Sequence, residues 1–231
     1  MPDSHADFGP AAARAADLVS EGAIVGLGTG HAATAFIHAL GDRVRTGLKV
    51  RGVPTSEEAA RLAGSLGIPL VGLDAVEAID IDVDGADEVD PGHNMIKGYG
   101  GALVREKIVA AAARRLVILV GPEKLVKTLG SRGQLPVEVV PFALAFCVRR
   151  LANLGLKATP RAHDGRPFVS DNGNPVVDCA VPPLADPAGT DAAIRAIPGV
   201  VGTGLFVGFR PTVIIQQGGE VVVKPPPGGV R

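Results

Sequence analysis

Short apolar runs of strand length alternate with segments of helical period through the first 120 residues, and this rhythm restricts the chain to a layered α/β fold. Ala23–Leu27 reads as a buried strand and His31–Leu40 as the helix that follows it. Lys49–Val53 is a second strand, and Ser56–Leu66 a second helix with its cap at Thr55 or Ser56. Pro69–Leu73 and Ile79–Val83 read as short strands, Leu103–Arg114 as a helix and Leu116–Val120 as a strongly β-forming run. The pattern predicts a doubly wound, mostly parallel sheet with helices on both faces. Ligands in such sheets bind beyond the carboxyl ends of the strands. The loops after Leu27, Val53, Val83 and Val120 are therefore where chemistry is expected.

The texture changes after Gly133. Pro136–Val140, Leu156–Thr159, Pro167–Ser170 and Val176–Ala180 read as strands, and Phe142–Leu154 and Asp191–Ala196 as helices. Turns fall at His163-Asp164-Gly165 and Asp171-Asn172-Gly173-Asn174. This stretch predicts a second, smaller α+β domain over residues 134–205. Val213–Ile215 and Glu220–Val223, joined at Gly218-Gly219, return to the first sheet, so the larger domain comprises 1–133 plus 206–231. Gly228 to Arg231 reads as a loose tail.

Composition narrows the function. A net charge of −1 argues against a nucleic-acid binder, which normally carries a basic excess. With no Trp, one Tyr and seven Phe, there is no platform for stacking bases. Cys147 and Cys179 stand far apart and read as two buried thiols in a reducing compartment rather than a disulfide. Met1 to Pro10 lacks a basic start followed by an apolar run, so no secretory signal is expected. Gly22 to Gly41 has no formal charge, but its glycines, histidines and Thr34 make it too polar and broken to span lipid. A cytoplasmic protein with no membrane segment is expected.

Three segments carry candidate chemistry. Gly26-Leu27-Gly28-Thr29-Gly30-His31-Ala32-Ala33 follows a strand and opens a helix, where glycines and free N–H groups favour an anion. Its spacing also fits a dinucleotide fingerprint and an adenosine-binding loop of methyltransferase type. The dinucleotide reading needs an acid at the end of the next strand, which instead ends Val53-Pro54-Thr55-Ser56. A simple tight turn is the remaining alternative. The second segment, Asp74 to Asp90, holds eight carboxylates and no Lys or Arg. Its Asp80-x-Asp82-x-Asp84-Gly85 imitates a calcium loop, but the twelfth position is Pro91 instead of a bidentate Glu. Ile79, Ile81 and Val83 alternate with Asp80, Asp82 and Asp84, which is a strand pattern delivering Asp84 and Asp87 to a loop through the bend Gly85-Ala86. Asp74, Glu77 and Asp90 suit a solvated acidic edge. The third segment, Lys97-Gly98-Tyr99-Gly100-Gly101 leading into Arg105-Glu106-Lys107, joins a lysine, a glycine-rich bend and a helix start. Glu106 falls in the first helical turn, where the dipole favours a carboxylate and capping alone would account for it.

Taken together these residues resemble the ribose-5-phosphate isomerase A family. The resemblance rests on Val25-Gly-Leu-Gly-Thr-Gly30, Asp84-Gly-Ala-Asp87-Glu-Val and Lys97-Gly-x-Gly with Arg105-Glu-Lys-Ile108. It continues through Val120-Gly-Pro-Glu-Lys124, Pro136-Val-Glu-Val139, Val169-Ser-Asp-Asn-Gly-Asn174, Ile197-Pro-Gly-Val200 and Gly204-Leu-Phe206, and so covers nearly the whole chain. It implies interconversion of D-ribose 5-phosphate and D-ribulose 5-phosphate through a cis-enediolate, with no metal and no cofactor. By the resemblance Glu106 is the general base, Asp84 and Asp87 hold sugar hydroxyls and assist ring opening, and Lys97 stabilises the enediolate oxygen. Thr29, Gly30, His31, Ala32, Gly85, Ala86, Gly98, Tyr99, Gly100 and Lys124 fall to the substrate-binding shell. A homodimer or homotetramer is implied, with a small sugar phosphate as the only other partner.

The chain departs from the family pattern at three places. The usual Thr-Gly-Ser-Thr is Thr29-Gly30-His31-Ala32, the middle glycine of Lys-Gly-Gly-Gly is Tyr99, and His5-Ala-Asp-Phe-Gly-Pro10 lacks the lysine many members carry. In one reading His31 supplies compensating donors and Tyr99 merely packs. In another the pocket is retuned for a related aldose with a modified or missing phosphate, Tyr99 contacting the new group. A non-catalytic sugar-phosphate sensor is a third reading, although a sensor has no need of a base.

Overall fold

The computed structural model describes residues 8–228; the expectations for the leader region before Phe8 and for the end of the tail lie outside them. The chain divides into two compact units. In chain order the first elements are α1 (Gly9–Ala16), β1 (Ile24–Leu27), α2 (His31–Arg45), β2 (Arg51–Pro54), α3 (Glu57–Ser65) and β3 (Ile81–Gly85). There follow β4 (Glu88–Val89), β5 (Met95–Ile96), α4 (Leu103–Ala112) and β6 (Leu116–Val120). The middle of the chain forms β7 (Gln134–Val139), α5 (Leu144–Asn153), β8 (Lys157–Pro160), β9 (Ala162–His163), β10 (Arg166–Pro167) and β11 (Val176–Ala180). The last elements are α6 (Pro187–Arg195), β12 (Val200–Thr203), β13 (Leu205–Phe206), β14 (Thr212–Gln217) and β15 (Glu220–Lys224).

Among the described residues the first unit comprises 8–86, 105–125 and 209–228. Its six-stranded sheet runs β15-β14-β6-β3-β1-β2, parallel except for the β14–β15 hairpin. All residues of β1 and β6 are buried, as continuous apolar strands covered on both faces should be. Along β1 the faces separate cleanly: Val25 and Leu27 join Phe36, Ile37, Leu40, Ala11 and Ala15 of the helices, whereas Ile24 packs with Val109 of α4. Helices therefore lie on both faces. α1 is a stretch of alanines with no side-chain cap; the buried Gln216 of β14 accepts from the Ala11 N–H instead. Ser56 is the cap of α3, its hydroxyl accepting from Ala59 N–H at 3.0 Å. Pro69–Leu73 is not a strand: Gly52 and Leu70 form a single bridge, after which Leu73–Ala75 is a 3-10 turn. Pro69 has no N–H to extend the pairing.

The second unit comprises residues 87–104 and 126–208. A four-stranded sheet β12-β7-β11-β8 carries a core of Leu135, Val137, Val139, Val177, Cys179, Leu151 and Ile194. A three-stranded sheet β13-β5-β4 and the two-stranded β10-β9 pair complete the unit. α6 begins one turn earlier than Asp191 because Asp186 caps it, with Pro187 in its first turn. The strand expected over Pro167–Ser170 shrinks to the two residues of β10 and a bridge from Val169 to Pro175. The boundaries of the units differ from the division at 133 and 206. Residues 87–104 and 126–133 group with the second unit because β5 pairs with β13, and buried Glu88 accepts from Gly130 N–H and Arg132 N–H at 2.6 Å each. Among the described residues no helix is long and apolar enough to cross a membrane.

Candidate active site

In the first unit the strand order reverses between β1 and β3, and its candidate residues lie at or beyond the carboxyl ends of β1, β3 and β6. Asp84, only 1% exposed, points its carboxylate at the β1 end, where Oδ1 accepts from Thr29 N–H at 3.1 Å and from Gly85 N–H at 2.7 Å. The glycines in and just after β1 find their reason here. Gly26 pairs in register with Asp82, and a methyl at Gly26 would overlap the Asp82 carboxylate. A methyl at Gly28 would overlap that of Asp84. Gly26 and Gly28 thus make room for the buried acids of β3; the first anion this loop accommodates belongs to the chain itself.

The Thr29 hydroxyl is held at the ends of β1 and β2, 2.7 Å from Thr55 Oγ1 and donating to Ser56 Oγ at 2.8 Å. Thr55 in turn donates to Leu27 O. Hydroxyls occupy the place where a dinucleotide fold needs an acid. Gly30 is the N-cap of α2, with φ 98°. His31 is exposed and meets the Phe8 ring edge-on, with centroids 5.7 Å apart. Ala32 turns its methyl into the core beside Gly85. Ala86 and Gly85 are half-buried at the end of β3, and Lys124 is half-buried in the short turn after β6. Glu106 stands in the first turn of α4 with 5% of its surface exposed.

The second unit carries Asp87, Lys97, Gly98, Tyr99 and Gly100. Lys97 leaves β5 with its N–H on Gly204 O at 2.9 Å, and its side chain is 3% exposed. Its Nζ lies 5.6 Å from the Phe206 ring centroid, a cation–π contact that helps hold a buried ammonium. Asp87 accepts from Tyr99 N–H through Oδ2 at 3.0 Å. The Tyr99 ring packs against the core of this unit and its hydroxyl donates to Gln134 O at 3.3 Å. Burial, then the carboxylates of Asp87 and Glu88, push its pKa up to about 12, so the phenol stays protonated. This geometry agrees with the reading in which Tyr99 packs.

The acidic stretch separates by partner. Asp74 and Glu77 are exposed as expected of a solvated edge. Asp90 is not part of that edge: its carboxylate accepts from Asn94 N–H and Nδ2 and closes a turn. Glu88 and Phe206 stand in the quoted motifs, but no role was assigned to either from sequence, because their partners lie too far along the chain for any local pattern to reveal them. Among the described residues, no group of three His, Cys, Asp or Glu side chains is arranged to hold a metal ion.

A family model described as ribose 5-phosphate isomerase A (phosphoriboisomerase A) matches residues 51–219. A ribose-5-phosphate isomerase A from Gloeobacter violaceus is 50% identical over 217 residues, covering 94% of each chain. One from Roseiflexus castenholzii is 49% identical, covering 92% of each. The solved ribose 5-phosphate isomerase A of Methanocaldococcus jannaschii superposes with a TM-score of 0.88 at 40% identity, covering 93% of this chain and 96% of that one. A ribose 5-phosphate isomerase from Plasmodium falciparum gives 0.91 at 33% identity, covering 95% and 98%. Fold and relatives define an isomerase of the pentose phosphate type. The chain belongs to the ribose 5-phosphate isomerase A family.

Proposed function

We propose that this chain interconverts D-ribose 5-phosphate and D-ribulose 5-phosphate through a cis-enediolate, with Glu106 as the base. The observation that carries the reading is the burial of Glu106 in the first turn of α4. A carboxylate needed only as an exposed cap has no reason to be withdrawn from water. In the open-chain aldose, Glu106 removes the proton from C2, and the electrons of that C–H bond move into the C1–C2 double bond. The carbonyl oxygen gains negative charge, which the Lys97 ammonium stabilises. Return of the proton to C1, with transfer of the O2 proton to O1, leaves the ketose. Asp84 and Asp87 accept hydrogen bonds from sugar hydroxyls and assist ring opening.

Proton abstraction and charge stabilisation of this kind each contribute on the order of 10²-fold or more. One relative was solved in complex with phospho-erythronic acid, a ligand that joins a phosphate to a carboxylate. That chemistry supports a sugar phosphate for this chain. The inward packing of Tyr99 supports ribose 5-phosphate itself over a retuned aldose. A homodimer or homotetramer in the cytoplasm is the setting we propose.

The test is turnover of ribose 5-phosphate by purified protein and by Glu106→Gln, with deuterium uptake from heavy water into the sugar as a second readout. The variant loses at least about 10³-fold in kcat and exchanges no carbon-bound hydrogen. Activity within tenfold of the parent removes Glu106 from the role of base.

A further inference from the structure

We propose that Arg161 is a positioning residue, a clamp that holds the loop Lys97–Gly101 from behind. This rests on the assignment of Lys97 as the stabilising cation. Arg161 follows β8 in the second unit, and its side chain is only 11% exposed. Two of its nitrogens grip Asp178, Nε donating to Oδ2 at 2.9 Å and Nη2 to Oδ1 at 2.6 Å. The third, Nη1, donates to the carbonyls of Gly98 at 3.1 Å and Tyr99 at 2.9 Å, the two residues that follow Lys97. The guanidinium lies over Phe168, 5.4 Å from the ring centroid, and the Phe168 ring fills the space where a side chain at Gly101 would stand.

A surface ion pair would explain none of this geometry. The loop Lys97-Gly98-Tyr99-Gly100-Gly101 is three-fifths glycine, and glycine backbone is the most costly to order. Within it the Gly101 N–H donates to Gly98 O at 3.0 Å. Arg161 adds a fixed planar fork whose carboxylate partner sets its orientation and whose remaining arm spans two successive carbonyls. Arg161 is itself anchored by strand-like backbone bonds, its N–H to Val176 O at 2.8 Å and its carbonyl accepting from Phe168 N–H at 2.9 Å. A lysine could neutralise Asp178, but a single ammonium has no planar fork to serve the carboxylate and both carbonyls together.

The experiment compares the parent, Arg161→Ala and Arg161→Lys by ribose 5-phosphate kinetics and by amide hydrogen exchange across Tyr99–Gly101. Misplacing the cation lowers kcat of Arg161→Ala by about tenfold to a hundredfold while KM changes less than about threefold. Exchange in the loop quickens. Millimolar guanidinium restores both kcat and protection, whereas sodium chloride at equal ionic strength does not. Arg161→Lys behaves as Arg161→Ala does. Arg161 is overturned as a clamp if loop exchange stays at the parent rate, if Arg161→Lys matches the parent, or if salt restores activity as well as guanidinium. Should Arg161→Ala fail to fold, Arg161→Lys decides by the same exchange readout. A parent protein that does not turn over ribose 5-phosphate refutes the proposed function alone; the exchange measurement needs no substrate and still decides whether Arg161 holds the loop.

Discussion

The backbone N–H of Tyr99 donates to Oδ2 of Asp87 across 3.0 Å, so the residue that interrupts the glycine run is tied by its main chain to one of the candidate hydroxyl-binding carboxylates. Its side chain goes the other way, into the core of the second unit. Tyr99→Phe removes only the bond to Gln134 O and costs about 0.5–1.5 kcal/mol of stability, read as a lower Tm. The ratio of kcat/KM for ribose 5-phosphate over unphosphorylated ribose is expected to stay within about threefold, because the hydroxyl is engaged by Gln134 O and would carry no discrimination. A larger change in that ratio means the phenol touches substrate.

Gly28→Ala is expected to be damaging, because the new methyl collides with the Asp84 carboxylate beside a buried strand. Overpacking of this kind costs about 1–3 kcal/mol, and kcat falls with it as Asp84 is displaced. Gly64→Ala is the contrasting case: it lies within α3 with open space around it, and gains about 0.5–1 kcal/mol from helix propensity. Paired chemical denaturation of the two variants checks both signs.

Lys97→Met keeps the length of the side chain and its contact with Phe206 but removes the charge. Loss of about 10²-fold or more in kcat, with an unchanged circular dichroism spectrum, is the expected result. Because the proposed mechanism draws its positive charge from this ammonium, EDTA is expected to leave the parent rate unchanged. Inhibition by EDTA that added metal reverses would contradict that division of labour.

Burial pushes the thiol of Cys147 above its ordinary value, and burial followed by the charge of Asp178 raises Cys179 to about 12. Both thiols are then protonated at pH 8, where reagents attack only thiolates. Neither is expected to react with a disulfide reagent in the folded protein, and both react after unfolding. The sign for stability follows. Between about pH 9 and 12 the unfolded chain releases the Cys179 proton while the folded one keeps it, so this thiol destabilises the fold as pH rises through that window.

Local pattern made much of the first unit legible. Continuous apolar runs at β1 and β6, the cap at Ser56 and the alternation of Ile81, Val83 with Asp82, Asp84 are all short-range signals, and the elements lie where those signals put them. α1 was not legible, since a short alanine-rich stretch gives little local signal and the acceptor for its Ala11 N–H is Gln216, two hundred residues further along the chain. The unit boundaries were hidden for the same reason. Nothing near Met95 and Ile96 announces that their strand partner is Leu205–Phe206.

The sequence by itself determined the layered α/β class, the family and the candidate residues Asp84, Asp87, Lys97 and Glu106, because periodicity and motif are properties of neighbours along the chain. Tertiary structure alone decided what each group faces. It turned Tyr99 inward, gave Gly26 and Gly28 the task of clearing space for Asp82 and Asp84, and brought Arg161 and Asp178 behind the Lys97 loop. Those outcomes depend on burial and hydrogen bonding between distant segments, and such energies exist only once the strands have paired.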